Sequence, residues 1–179
     1  MSPRLSRAAI FRLASLQSIF LGLFASSYLL YAYVAQRPIV CGASGGCELV
    51  RLSKWAYVFG TVPRPLLGVL FYGALLLLLL ARVALRSRSV ALWRTMQALI
   101  AVGFVESIML FFVQWREIGA FCAWCLLSAA ASVELALAAL FDRPVEDDPD
   151  ARSFELRLMV CLMAGFSVAF LVGLGLLLQ

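Results

Sequence analysis

The sequence predicts an all-α integral membrane protein: a four-helix transmembrane bundle plus a fifth transmembrane helix. Two observations predict it. Of its 179 residues, 64% are hydrophobic, with a mean hydropathy of +0.97. That is far above the composition of a water-soluble domain. The apolar residues also gather into five long runs, separated by short polar breaks that hold most of the charge. A single membrane domain over residues 1–179 is expected, with no long linker and no soluble domain.

The first run follows Arg4, Arg7 and Arg12, and its apolar part extends over 13–35. That exceeds the apolar core of a signal peptide, and no small-residue cleavage site clearly closes it. It is read as a retained helix over about 8–35, stopped by Gln36-Arg37-Pro38. Residues 36–64 form a polar loop. Inside it, Leu49, Leu52, Ala56 and Phe59 fall on one stripe while Arg51 and Lys54 face away. This spacing predicts a short amphipathic lid helix over about 48–59, lying in the interface rather than spanning it. Helix two covers about 65–85, opening at Pro65, a residue suited to a first helical turn. Helix three covers about 91–113, helix four 119–141 and helix five 154–178. Each approaches or exceeds the ~20 residues a bilayer needs.

Charge orients the bundle. Arg4, Arg7, Arg12, Arg82, Arg86, Arg88, Arg94, Arg143, Arg152 and Arg157 lie on one side. Arg37, Arg51, Lys54, Arg64 and Arg116 lie on the other, ten against five. The richer side is expected to be cytoplasmic. The N-terminus is then cytoplasmic, and the 36–64 loop, the mouth of helix four and the C-terminus face outward. The net charge of +5 is accounted for by topology. No basic run with interleaved aromatics points to a nucleic acid. Histidine is absent, which removes the usual general base, haem ligand and most zinc or copper sites.

Five cysteines remain to carry chemistry. Cys122-Ala123-Trp124-Cys125 stands at the mouth of helix four. Cysteines three apart share a helical face and can alternate between dithiol and disulfide. A helix N-terminus lowers a thiol pKa, and the thiolate is the reactive form. Cys41 and Cys47 lie in the loop upstream, so both pairs fall on the same, oxidising side of the membrane. Two pairs on one face suggest a relay through mixed disulfides. With no haem or flavin motif, a lipid quinone buried between helices is the natural final acceptor. Two readings stay open beside it: a non-catalytic membrane protein with two structural disulfides, and a four-thiolate metal site. The second is disfavoured because metal-binding Cys-x-x-Cys units usually sit in turns. Cys161 is expected to be a buried small residue in helix five.

Glu106 sits ~10 Å below the outer end of helix three at 1.5 Å per residue, a depth comparable to that of Cys125. Carboxylates inside a membrane are costly and usually functional. Glu106 is therefore a candidate proton relay; the alternative is a structural carboxylate satisfied by Gln97, a serine or Arg116. Glu134, deeper in helix four, is expected to be structural.

Cys41-x5-Cys47, Ser53 six residues later, Phe59-Gly60, and Ile118-Gly119-Ala120-Phe121-Cys122-x-x-Cys125 together resemble the vitamin K epoxide reductase family, in its bacterial, thiol-oxidising branch. The resemblance covers about residues 10–140. It implies a four-helix bundle around a quinone, with the loop helix as a lid. It implies that Cys41 and Cys47 are a shuttle pair and that Cys122 and Cys125 are the quinone-side pair. Cys41 would meet the partner, Cys47 would attack Cys122, and Cys125 would be freed beside the quinone. Ser53 would bind a quinone carbonyl or steady the site, with Leu52, Phe59, Cys125 and Ala129 around the cofactor. Bacterial members often add a thioredoxin-like domain after a fifth helix. Here the expected partner is a separate thioredoxin-fold, DsbA-like thiol oxidant. Vertebrate members carry a tyrosine where Ala129 stands and an asparagine near Arg64, so quinone rather than epoxide reduction is implied. A vitamin K reductase acting with small thiols is the alternative enzyme. The expected setting is a bacterial inner membrane, with ubiquinone or menaquinone as cofactor and no metal.

Overall fold

The computed structural model describes residues 7–41, 45–84, 90–141, 157, 160–165, 167–169 and 172. Four of its helices are long and apolar enough to cross a membrane. They are α1 (Arg7–Val34), α3 (Arg64–Ala84), α4 (Val90–Val113) and α5 (Ala123–Phe141), while the short α2 (Gly46–Leu52) lies between α1 and α3. α1, α3 and α4 begin and end within about a residue of the boundaries that composition predicts, and α5 ends at the expected residue but starts later. A long apolar helix satisfies all of its backbone groups internally, the only open-chain solution in lipid.

The bundle is built around α1, which packs against both α3 and α5, while α4 closes the ring against α5 and α3. Leu16, Ile19, Tyr72, Leu75, Leu79, Leu135 and their neighbours form the core. Two glycines set the approach of the helices. A Cβ on Gly22 would meet the ring of Tyr72, and one on Gly103 would meet the ring of Phe71. The large aromatic side chains of α3 thus enter spaces that only glycine leaves on α1 and α4. Of the expected fifth helix, helical residues at 157, 160–165, 167–169 and 172 are described, with Leu162 and Met163 packed on the core; the rest of 154–178 lies outside the described residues. Cys161 is exposed rather than buried.

The lid departs most from expectation. It is not one helix over 48–59. After α2 the chain makes a 3-10 turn (Lys54–Ala56) and then a small antiparallel hairpin of β1 (Tyr57–Val58) and β2 (Val62–Pro63). Ser53 breaks the helix. Its backbone is extended, at φ −73° and ψ 156°, and its hydroxyl donates to the Val50 carbonyl at 2.7 Å. Such local bonds compete with helix continuation. Phe59 and Gly60, at φ 52° and 72°, turn the hairpin. The stripe is correspondingly dismantled: Ala56 is buried, but Leu52 is 74% and Phe59 96% exposed. A second correction concerns Arg51, which does not face away. Its guanidinium reaches the carbonyls of Ala32 and Arg37 at 3.3 and 3.2 Å and pairs with Glu48. It caps the C-terminal end of α1, where a cation is favoured.

The mouth of α5 is also reshaped. Helix four was expected from residue 119. Instead α4 runs on through a π turn, Gln114–Ile118, and Gly119 closes it at φ 67°. Residues 120–122 are not helical. Cys122 is therefore the residue flanking the start of α5, and Cys125 stands in its first turn.

Candidate active site

Cys41 and Cys47 form a disulfide, whereas Cys122 and Cys125 are free thiols. The two pairs meet. Cys47 and Cys122, each 1% exposed, share one buried cluster with Leu29, and Cys41, Cys125 and Trp124 pack on its edge. Gly46 makes this approach possible. A Cβ there would lie 2.3 Å from the Phe121 carbonyl oxygen, so only glycine lets α2 rest on the residues before Cys122.

Cys122 is held from several directions. Its backbone N–H donates to Gln114 Oε1 at 2.8 Å, and Gln114 is itself buried in the π turn. Its Sγ accepts the Cys125 backbone N–H at 3.3 Å, as an N-cap oxygen does in other helices. A hydrogen bond from the Cys125 thiol lowers the Cys122 pKa most. The backbone N–H groups of Cys125 and Trp124 add to this, against burial, which raises it. The Cys122 thiolate is thereby favoured at the seam between the pairs.

The chain bearing Cys41 is pinned by aromatics. The Val40 N–H donates to the Tyr28 hydroxyl at 2.9 Å, and the Trp124 indole donates to the Val40 carbonyl at 2.8 Å. Tyr28 and Trp124 pack ring on ring at 4.6 Å. Trp124, an unassigned position within Cys-x-x-Cys, thus positions the segment that bears Cys41. Residues 42–44, between Cys41 and Cys47, lie outside the described residues.

Below the lid is a cavity of about 490 Å³, within the size range of small-molecule sites. Its walls are mostly apolar, from α1, α3, α4 and α5, and the lid contributes Val50, Trp55, Ala56 and Val58. Cys125 opens onto it; Cys122, Cys47 and Cys41 do not. Two charged groups from facing helices also line it. Arg64, at the start of α3, pairs with Glu106 of α4, and its Nε donates to the Trp55 carbonyl at 2.7 Å. The Trp55 indole in turn donates to Glu117 at 2.9 Å, and Lys54 pairs with the same carboxylate at 3.5 Å. The lid is therefore tied at one side to α1 through Arg51 and at the other to the π turn through Glu117.

The model of the vitamin K epoxide reductase family matches residues 14–141, from within α1 to the end of α5. The chain belongs to that family. No curated protein matches it. Membership makes it a multi-pass membrane oxidoreductase of the thiol–quinone or epoxide type. The family uses a quinone, and the cavity suits one: its walls are mostly apolar and a thiol stands among the residues that line it.

Of the residues singled out for this vitamin K epoxide reductase-family site, Cys125, Glu106 and Ala129 line the cavity. Leu52 and Phe59 lie on the outer surface of the lid, and Ser53 spends its hydroxyl on Val50; none of the three lines the cavity. Val50 and Val58 occupy the places that the single-helix reading assigned to Leu52 and Phe59. The partner of Glu106 is Arg64. Gln97 instead donates to the Ala139 carbonyl, and Arg116 lies over the Trp115 ring. Gln114, Trp124, Gly46 and Arg51 were not legible as site residues. Only Arg64, a cation one position before a helix-opening proline, carried any signal.

Proposed function

We propose that the protein is a thiol:quinone oxidoreductase that keeps an extracytoplasmic disulfide-forming protein oxidised. One arrangement supports the reading: Cys47 and Cys122 share a buried cluster, while Cys125 alone of the four cysteines opens onto the cavity. A structural pair of disulfides does not need that order.

The partner, a separate thioredoxin-fold, DsbA-like thiol oxidant in its dithiol form, attacks Cys41 through a thiolate. A mixed disulfide forms and Cys47 leaves as a thiolate. The partner's second thiol then displaces Cys41, so the partner departs as a disulfide and Cys41 and Cys47 are left reduced. Cys47 next attacks Cys122 of an oxidised Cys122–Cys125 pair, and Cys125 is released as a thiolate facing the cavity. Cys41 attacks Cys47, which restores the Cys41–Cys47 disulfide and leaves Cys122 and Cys125 reduced. A quinone, when bound, accepts two electrons and two protons and so returns Cys122–Cys125 to the disulfide. The apolar walls exclude water, and the lid, tied by Arg51, Trp55 and Arg64, closes the outer end.

Glu106 is the protein's own carboxylate at that site, and we assign it the proton path, with Arg64 holding it against the wall. Glu106→Gln keeps the size but removes the carboxylate that pairs with Arg64. Slower turnover with unchanged quinone affinity is expected. Wild-type turnover would make Glu106 structural.

The setting that fits is a bacterial inner membrane with the cysteines on the periplasmic side, in line with ten basic residues against five. Trapping tests the relay. A single-cysteine thioredoxin-fold oxidant mixed with the full-length protein is expected to be captured on Cys41, as read by mass spectrometry. Capture on Cys122, or inert pairs that never exchange, would remove the relay.

A further inference from the structure

We propose that Tyr72, Ser128 and Ser132 form a carbonyl-binding subsite, in which the Ser128 hydroxyl donates to one oxygen of the ring bound in the cavity. The subsite presupposes the quinone reading above. Cys125, Ser128, Ala129 and Ser132 follow the i, i+3, i+4, i+7 spacing of one helical face, and all four line the cavity. Ser128 lies ~4.5 Å below Cys125 along the helix at 1.5 Å per residue. A ring close enough to take electrons from the Cys125 sulfur therefore has an edge within reach of Ser128.

Tyr72 builds the subsite from the facing helix. Its ring fills the space left by Gly22, where a Cβ would stand 2.1 Å from the ring. With the side chain 1% exposed, its hydroxyl needs partners inside the protein. It donates to the Ser128 carbonyl at 2.7 Å and contacts Ser132 Oγ at 2.9 Å and Ser128 Oγ at 3.1 Å.

Counting protons singles out Ser128. Three hydroxyls carry three protons. The Tyr72 proton goes to the Ser128 carbonyl. The Ser132 proton goes to the Tyr72 oxygen or to the Ser128 carbonyl, 3.2 Å away. Tyr72 is then satisfied without Ser128, whose contact is the longest of its three. The Ser128 proton is held only by that contact, at 3.1 Å, and can exchange it for an acceptor in the cavity. Tyr72 loses nothing essential by the exchange, so a ligand oxygen can take the Ser128 proton at little cost. A hydroxyl also suits both redox states of a quinone, because it donates to a carbonyl and accepts from the O–H that replaces it.

The test uses the full-length protein in lipid nanodiscs with menadione as the probe, followed by infrared difference spectra of its carbonyl stretch and by steady-state kinetics. In the wild type, one carbonyl band is expected at lowered frequency. Ser128→Ala should abolish that shift and raise the KM for menadione about five- to tenfold, the worth of one hydrogen bond. Alkylation of Cys122 should not change. Ser128→Thr, which keeps the hydroxyl, should restore both the band and the KM. A shifted band that persists in Ser128→Ala overturns the subsite and leaves the quinone reading standing. Absence of saturable menadione binding in the wild type overturns both.

Discussion

Cys125→Ala is expected to lower quinone reduction to background while the bundle stays folded. Cys125 is the one paired cysteine that opens onto the cavity, so no other thiolate can deliver electrons there. With Cys41→Ser added to remove the remaining resolving thiol, the variant should accumulate a Cys47–Cys122 disulfide under mild oxidation, because those two cysteines already share a buried cluster. A further change follows at Cys122. The hydrogen bond from the Cys125 thiol is the main influence lowering its pKa, ahead of the backbone N–H groups that remain in the variant. A lowered pKa populates the thiolate at pH values below the ordinary thiol range. Removing its main cause should move the midpoint of Cys122 alkylation to higher pH. Iodoacetamide labelling across pH, with peptide mapping of the disulfide, reads both effects. Full quinone turnover in Cys125→Ala would overturn the order of the relay.

Gly46→Val is expected to slow exchange between the two cysteine pairs on the order of 100-fold, the scale seen when reacting groups are displaced by about 1 Å. Any side chain at residue 46 meets the Phe121 carbonyl at 2.3 Å. That atom is backbone, fixed between the π turn and α5, so α2 must move instead and carry Cys47 away from Cys122. Overpacking of this kind also costs about 1–3 kcal/mol of stability. Quinone binding should survive, because residue 46 does not line the cavity. Single-turnover oxidation, followed by quenching and disulfide mapping, separates the two effects. An exchange rate equal to the wild type would mean that α2 does not set the distance between the pairs.

Lid anchoring explains why the short α2 has a defined place at all. Seven residues are too few to hold a helix by themselves. Arg51 fixes it to the end of α1, and Trp55 and Lys54 fix the next turn to Glu117. The same turn hands the Trp55 carbonyl to Arg64, so the lid and the polar end of the cavity form one connected network.

The spans were readable from sequence because a lipid-crossing helix announces itself by length and apolarity, whatever it packs against. α1, α3 and α4 begin and end within a residue or so of the expected positions for that reason. Cys-x-x-Cys and the upstream pair were readable because their spacing is local chemistry. The lid was not readable as it is. A stripe of Leu49, Leu52, Ala56 and Phe59 holds only if one helix continues, and a single serine bonding its own backbone ended that helix. The start of α5 shifted by four residues because Gly119 turns the chain at φ 67° and residues 120–122 are not helical. Which polar groups meet across the bundle was beyond any one-dimensional pattern. Arg64 and Glu106 are 42 residues apart, Trp124 and Val40 84 apart, and their pairing is set by how four helices pack. Composition and spacing by themselves determined a membrane bundle with two cysteine pairs. Only the packed structure decided that Cys47 lies against Cys122 and that Cys125 faces the cavity, because those depend on a missing Cβ at residue 46 and on the turn that aims the first residues of α5.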